Sequence, residues 1–477
     1  MSFAPISTPE DPAVESDTHP HIPTMNGRIL RAAVSVLLAG VIVKLFSTSK
    51  EVVVAGAYGR SDVMDAFLAA FLIPNLLVNV FAESMNQALI PTLVRVRMQE
   101  GQRKAQQLLS NSMLWVCILL ILACAVMAIS ARVFLPLLTW SFPPEKFELC
   151  LRMFWALLPM VLLAGIAGNC TAVLNSAERF TLPALAPALM PLANMAGILL
   201  LRGQLGIWAL LLFTTLGTAA QAVVVAWSMG SHGYPLRFRW CGMSDATREV
   251  AHQYGPVLLS SVVASGGLLV DQAMAASLPA GSVSTLVFAG RFVGVVVTLF
   301  AGAVSTAVTP YFSMMVAQKD WPACRKALRH WVRLVAAVAF PLAASIILGA
   351  HLLVRVTLQH GEFSSRDTAE VAPVLAFYAI QIPFFAVSRV YFRFVLAMRR
   401  TDLVLYCGIL NLILDIVLDL VLMRFMGVAG LALATSLWTV STCVFFWFCA
   451  RMLLTKAEGR NHPSGDQENK GRRQQIA

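Results

Sequence analysis

The chain has 477 residues, of which 58% are hydrophobic and only 13% are charged, and its mean hydropathy is +0.72. This composition excludes an ordinary soluble domain and is typical of a protein that crosses a membrane many times. The net charge of +11 does not indicate a nucleic-acid partner, because the basic residues lie in short loops between apolar runs.

Both ends of the chain are polar. Residues 1–27 are rich in Pro, Ser, Thr and Asp and predict a disordered cytoplasmic tail, and residues 453–477 predict a second one. A cleavable signal peptide is not expected, because the first apolar run begins only near Ile29 and is too long for one.

Between these tails, about twelve segments are apolar enough to cross a bilayer as helices, for which about 20 residues are needed. The predicted spans are 30–59, 63–94, 110–136, 151–174, 182–201, 205–229, 251–278, 283–314, 331–356, 369–396, 402–424 and 427–452. We therefore predict an all-α integral membrane protein with two six-helix lobes around a central cavity. The N-terminal lobe is 28–229, a basic cytoplasmic linker is 230–248, and the C-terminal lobe is 249–452.

The loop charges predict an orientation. With the N-terminus inside, the cytoplasmic loops hold about fifteen Lys and Arg residues and the opposite loops about seven. This bias predicts a multi-pass protein of the bacterial cytoplasmic (inner) membrane with both termini in the cytoplasm. The basic segment 317–330 predicts an amphipathic helix on the cytoplasmic surface.

The two halves share a weak internal repeat. Four residues of the second span recur at the same spacing in the eighth: Phe81, Ala82, Ala88 and Pro91 align with Phe300, Ala301, Ala307 and Pro310. An apolar chain whose second half repeats its first is typical of a transporter.

Charged side chains inside the predicted spans indicate function, because such groups are costly at membrane depth. The first span carries Lys44, Lys50 and Glu51, and the eighth carries Arg291 at a depth similar to that of Lys50. Two cations facing one cavity would suit a diphosphate. In the alternative interpretation, Lys50 pairs with Glu51 or Asp65, and Arg291 reaches the membrane surface.

Further polar residues form two groups. The second span carries Asp65, Asn75 and Glu83 as additional candidates for substrate binding. A set at one depth in spans seven, eleven and twelve offers oxygen ligands for Na⁺: Asp271, Asn411, Asp415 and Thr435. Protonation of Asp271 or Asp415 would instead allow H⁺ coupling, and hydrogen bonding between helices is the alternative without an ion. Asp419, one turn beyond Asp415, either joins this set or lies at the water boundary.

Enzymatic activity is not predicted. The sequence has no Gly-rich phosphate loop, no nucleophile–base arrangement, and no paired spacing among its nine Cys that would indicate a metal site or disulfides.

The string DAFLAAFLIPNLLVNVFAESMNQALIP at 65–91 resembles the MurJ (MviN) family of lipid II flippases, within the multidrug/oligosaccharidyl-lipid/polysaccharide exporter superfamily. Further matches are LNSAERFTLPALAP at 174–187, QYGP at 253–256, the GSVS string ending at Arg291, and LQHGEFSSRD at 358–367. The resemblance implies alternating access by two lobes around a cationic cavity. The implied substrate is an undecaprenyl-diphosphate-linked glycan whose tail stays among the membrane lipids, and lipid II is the leading candidate.

The resemblance also implies roles for single residues. Lys44 and Lys50 stand where the family usually has arginines, Arg291 keeps an arginine, and Asp65 and Glu83 keep carboxylates. Asp271, Asn411, Asp415 and Thr435 match a Na⁺ site of some members. The expected energy source is Na⁺, H⁺ or the membrane potential, with no other cofactor. Enzymes of cell-wall or polysaccharide synthesis are candidate partners.

The chain departs from the family pattern at several points. Val78 replaces a basic residue, and Gly290 and Gly294 replace acidic ones. The family usually has fourteen spans, the last two forming a groove for the lipid tail, whereas twelve are predicted here. A flippase for an exopolysaccharide or O-antigen precursor is therefore an alternative. A cation-coupled multidrug exporter and a non-transporting membrane scaffold are alternatives of other functional classes.

Overall fold

The computed structural model describes residues 25–234 and 238–461, in which the regular elements are all helices. In chain order they are α1 (Met25–Tyr58), α2 (Asp62–Gln99), α3 (Gln102–Leu138), α4 (Pro144–Ser176), α5 (Thr181–Leu185), α6 (Leu189–Leu205), α7 (Ile207–Ser231), α8 (Asp245–Ala264), α9 (Gly266–Ala276), α10 (Ser282–Ala317), α11 (Trp321–Leu358), α12 (Ser365–Ala379), α13 (Gln381–Ala397), α14 (Thr401–Met426) and α15 (Val428–Asn461). A 3₁₀ turn joins α5 to α6.

Ten helical stretches of the described chain are long and apolar enough to span a bilayer. They match ten of the twelve predicted spans. Helix α1 and the pair α8–α9 lie where the first and seventh spans are predicted but are not among the ten. The all-α membrane architecture is confirmed, whereas the count of twelve stays a prediction.

Several predicted boundaries need correction. Helix α15 continues to Asn461, so residues 453–461 are helical rather than part of a disordered tail. Helix α8 begins at Asp245, inside the predicted linker. The segment 317–330 is not a separate surface helix, because α11 runs without a break from Trp321 into the membrane span. The predictions for 1–24, 235–237 and 462–477 lie outside the described residues.

Short polar signals start several helices. The Ser61 side chain accepts a hydrogen bond from the Met64 amide at the start of α2, and the Asp320 side chain accepts one from the Ala323 amide at the start of α11. At the start of α12, Ser364 and Asp367 form a reciprocal capping box. These caps satisfy amide groups that a helix leaves unpaired at its first turn, so they fix where the chain reverses direction.

The helices form two lobes. In the N-terminal lobe α2 packs against α4, and α7 packs against α4 and α6. In the C-terminal lobe α13 packs against α10 and α15, and α14 packs against α15. Between the lobes α2 contacts α8 and α10, and α1 contacts α10. The ends of α1, α2, α8 and α10 therefore decide how the lobes meet.

The helices alternate between two ends of the bundle. The closed end is defined by the loops at 59–61, 139–143, 277–281 and 359–364. The basic end is defined by the loops at 100–101, 177–180, 232–244, 318–320 and 398–400. At the closed end the Glu362 amide donates to the Gly56 carbonyl at 2.9 Å. Gly361 has a φ of +62°, and a Cβ there would lie 2.1 Å from the Gly56 oxygen, so the lobes touch through backbone.

Candidate functional site

A buried carboxylate joins two of the predicted cations across the lobes. Glu51 on α1 contacts the Lys50 ammonium at 2.9 Å, and the Nε atom of Arg291 on α10 at 3.2 Å. Glu51 is buried, whereas the Arg291 side chain is 51% exposed. The structure thus brings together three predicted residues. The cations do not face the cavity as two free charges, because they share one counter-ion.

The third predicted cation, Lys44, lies about two turns before Lys50 on the same helix. It lines a mostly apolar cavity of about 280 Å³ between α1, α10 and α11, together with Thr48 and Phe292. Among the described residues no carboxylate forms an ion pair with Lys44. Lys50 and Arg291 share one carboxylate and Lys44 contacts none, so the three cations carry two more positive charges than this carboxylate offsets.

A cavity of about 250 Å³ connects the two groups of predicted residues. Its walls include Asn75 and Phe71 from α2, Asp271 from α9, Arg291 from α10 and Tyr378 from α12. Both lobes contribute, since α2 belongs to the first and the other helices to the second. The predicted substrate residues Asn75 and Arg291 thus share one space with the predicted ion ligand Asp271.

Three carboxylates meet beside this cavity. Oxygens of Asp271, Asp415 and Asp419 lie within 4.8 Å of one another. Within the described part of the chain, Asp271 Oδ1, Asp415 Oδ1 and both oxygens of Asp419 have no hydrogen-bond donor. Unpaired buried carboxylates repel one another strongly, so the cluster needs a cation or protons to be stable. Carboxylate oxygen is a ligand that small hard cations prefer.

The two remaining members of the predicted ion site, Asn411 and Thr435, have hydrogen bonds of their own. Asn411 accepts a hydrogen bond from the Thr442 hydroxyl at 3.0 Å, and its amide lies 3.7 Å from the Cys407 sulfur. The Thr435 hydroxyl donates to the Leu431 carbonyl in its own helix at 3.1 Å. Asn411 thus takes part in hydrogen bonding between helices, and Asp419 joins Asp271 and Asp415 in the cluster.

A break in the seventh predicted span positions the cluster. Helix α8 ends at Ala264 and α9 starts at Gly266, so the span is two helices rather than one. At Gly267 a Cβ would lie 2.9 Å from Asp415 Oδ2. The lack of a side chain there lets Asp415 approach α9, which carries Asp271.

The structure gives Asp65 a role different from the predicted contact with substrate. Asp65 is buried and accepts hydrogen bonds from the Gly281 amide at 2.7 Å and the Ser284 amide at 2.9 Å, at the start of α10. Lys146 lies 3.3 Å from the same carboxylate. Asp65 thus caps a helix of the opposite lobe. Glu83 lies on α2, and its side chain is outside the described part of the structure.

Arg60 is a site residue that sequence reasoning missed. Its Nε atom donates to the Thr285 hydroxyl at 2.5 Å and to the Gly281 carbonyl at 3.3 Å. Its guanidinium also contacts Glu370 at 2.6 Å and Asp367 at 3.4 Å. No motif marks an arginine in a short loop, so the only available signal was its position between two spans rich in charge.

Comparison with known proteins gives consistent matches. The family model described as "Lipid II flippase MurJ" matches residues 54–461. A curated relative from Synechocystis, named "Probable lipid II flippase MurJ", is 26% identical over 434 residues, which cover 88% of this chain and 81% of the relative. A Helicobacter pylori protein of the same name is 26% identical over 416 residues, covering 80% of this chain and 86% of the relative.

Solved structures share the fold. A lipid II flippase MurJ in an inward closed conformation superposes with a TM-score of 0.76 at 20% identity, covering 88% of this chain and 87% of that one. An inward-facing multidrug transporter of the MATE family superposes with a TM-score of 0.75 at 12% identity, covering 90% and 99%. An outward-facing transporter of that family gives 0.63 at 14% identity, covering 91% and 96%.

Proposed function

We infer that this chain, which belongs to the MurJ family of lipid II flippases, moves a polyprenyl-diphosphate-linked cell-wall precursor across the membrane, with lipid II as its cargo. It is a multi-pass membrane transporter. The proposed direction is from the inner to the outer leaflet of the bacterial cytoplasmic membrane. The positive-inside bias supports an orientation with the basic end and both termini in the cytoplasm.

The observation that carries the proposed mechanism is the contact of Glu51 with both Lys50 and Arg291. A diphosphate carries more negative charge than one carboxylate, and guanidinium and ammonium groups bind phosphate oxygens well. We propose that the diphosphate of the substrate displaces Glu51 from one or both cations. Lys50 belongs to the N-terminal lobe and Arg291 to the C-terminal lobe. A diphosphate bound between them would therefore favour another relative position of the lobes than Glu51 does in the empty site.

Alternating access also requires the closed end to open. Arg60, Asp65 and Glu362 hold the lobes together there through contacts with the loop at 277–281 and with the segments around α12 and Gly56. We propose that these contacts break when the substrate is released at the outer surface. The apolar cavity beside Lys44 would allow the lipid tail to stay in the bilayer while the headgroup moves.

Energy coupling is proposed at the carboxylate cluster. Asp271, Asp415 and Asp419 have the donor set for a Na⁺ ion, and a bound proton would serve the same purpose of reducing their repulsion. Because Asp271 also lines the cavity that contains Arg291, loading of the cluster would alter the charge that the substrate meets. The membrane potential could act on the same charges.

Complementation tests the proposed function. The chain is expressed in a bacterium depleted of its own lipid II flippase, and lipid II in the outer leaflet is measured. Restored growth and outward lipid II, both lost in Lys50→Ala, would support the proposal. Good membrane expression without rescue would exclude lipid II, and the same assay with exopolysaccharide or O-antigen precursors would then test the other glycan flippases.

A further inference from the structure

A cationic cavity of about 440 Å³ lies at the basic end of the C-terminal lobe and shares no lining residue with the candidate site. Its walls come from α11, α13 and α15, and four arginines line it: Arg325, Arg329, Arg333 and Arg451. We propose that this cavity binds the phosphate of an anionic glycerophospholipid in the leaflet at the basic end, as a site separate from the transport cavity.

The charge of the cavity is largely uncompensated. Arg325 pairs with Glu458 at 2.5 Å, which joins α11 to α15. Elsewhere in the described chain no carboxylate pairs with Arg329, Arg333 or Arg451, and Arg451 lies over the Trp447 ring at 5.8 Å. Guanidinium groups bind phosphate oxygens in pairs, so three of them around one cavity fit a phosphate better than any neutral ligand.

The depth of the arginines matches a lipid headgroup. On α11 about 21 residues, or roughly 32 Å of helix, separate Arg333 from Val354, close to the thickness of the hydrocarbon core. On α15 about 23 residues, or roughly 35 Å, separate Val428 at the closed end from Arg451. Arg333 and Arg451 therefore both lie where the apolar core ends, at the level of the lipid phosphates.

The surface beside the arginines is apolar. Phe340 on α11, and Val444 and Trp447 on α15, have exposed side chains toward the middle of the bilayer from these arginines. A free anion would use only the cationic part of this surface, whereas a lipid would place its phosphate among the arginines and its acyl chains along the apolar side chains. Basic pockets between membrane helices are known sites for anionic headgroups, and a Trp at this level is a usual interfacial anchor.

The experiment measures lipid retention and does not depend on flipping. The purified full chain is mixed with equal amounts of phosphatidylglycerol and phosphatidylcholine, and the bound lipids are counted by native mass spectrometry. The test variant carries Arg329→Gln, Arg333→Gln and Arg451→Gln. The matched control carries Lys319→Gln, Lys326→Gln and Arg399→Gln, which removes three exposed cations at the same end but outside the cavity.

We expect the wild type to retain phosphatidylglycerol selectively, the test variant to bind it at least about tenfold more weakly, and the control to bind it as the wild type does. Equal losses in both variants would reduce the effect to general surface charge and overturn the proposal. Displacement of the lipid by a moderate excess of inorganic phosphate would identify a free-anion site instead, which also overturns it.

A second measurement covers the case in which the triple variant does not fold. Brominated phosphatidylglycerol quenches tryptophan fluorescence on contact, and Trp447 lines the cavity. Trp447 is one of ten Trp residues, so contact at this site accounts for part of the quenching. A smaller quenched fraction in Trp447→Phe supports the site, and an unchanged fraction contradicts it.

Discussion

Glu51 and Arg291 form an ion pair of 3.2 Å between α1 and α10, and this pair connects the two lobes inside the membrane. The carboxylate is buried and also holds Lys50. One acidic residue therefore fixes the positions of two cations that sequence analysis assigned to the substrate. Replacing Glu51 would leave both cations without their shared partner, whereas replacing Lys50 or Arg291 would remove one positive charge. Mutation can therefore separate the two effects.

The first prediction concerns these cations. Lys50→Ala and Arg291→Ala should each lower lipid II flipping at least about tenfold, because each charged contact with phosphate contributes about 1.5–3 kcal/mol. Lys50→Arg should keep most of the activity, since the charge is retained. Membrane abundance measured alongside gives the control, and wild-type flipping in both alanine variants would contradict the diphosphate site.

The second prediction concerns the closed end. Arg60→Ala removes contacts with Thr285, Asp367 and Glu370, so the closed arrangement should lose about 1–3 kcal/mol relative to the open one. The reporter is Ser282→Cys, a substitution at a buried position, in a background without the native cysteines. Its thiol should react faster with an impermeant maleimide when Arg60→Ala is also present.

The matched control for Arg60 is Arg366→Ala. Arg366 carries the same charge at the same end, but its side chain is 89% exposed and its ion pair is with Glu370 in its own helix, at 3.6 Å. Labelling of the reporter thiol should stay at the rate seen without either arginine substitution. Equal acceleration in both would mean that local charge, rather than the contact between lobes, controls the closed end.

The third prediction separates a structural role of Asp65 from a role in substrate binding. Asp65→Ala leaves two amides at the start of α10 without an acceptor and removes a partner of the Lys146 side chain, at a cost of about 1–3 kcal/mol. We expect a lower Tm in detergent and lower membrane abundance. Asp62→Ala removes the more exposed partner of Lys146 and should change the Tm little.

The fourth prediction concerns the ion site. If Na⁺ drives transport, flipping in vesicles should rise with Na⁺ concentration, and Asp415→Asn or Asp419→Asn should abolish that dependence. Asn411→Ala should preserve it, because the Asn411 side chain bonds to Thr442 and lies beside Cys407. Suppose instead that Asn411→Ala loses the Na⁺ response and Asp419→Asn keeps it. The ion would then bind at the set predicted from the sequence, which includes Asn411, and Asp419 would not be a ligand.

The class of the protein and several of its site residues follow from the pattern of amino acids. Long apolar runs require helices in a membrane, since the backbone has no water to bond with, and charges within those runs mark Lys50, Glu51 and Arg291 as functional candidates. Motifs at 65–91 and elsewhere indicated the family before any contact was known. These features depend on composition and local pattern, which a sequence carries directly.

Which residues meet depends on how the helices pack. The structure joins residues that are far apart in the chain. Examples are the shared counter-ion of Lys50 and Arg291, the capping of α10 by Asp65, and the grouping of Asp419 with Asp271. The position of a residue along a helix gives the depth of its side chain in the membrane. Which other side chain it contacts depends on the neighbouring helices, because they decide what lies on each face. The break at Ser265 divides the seventh predicted span into α8 and α9, and the packing of α1 on α10 brings Glu51 to Arg291.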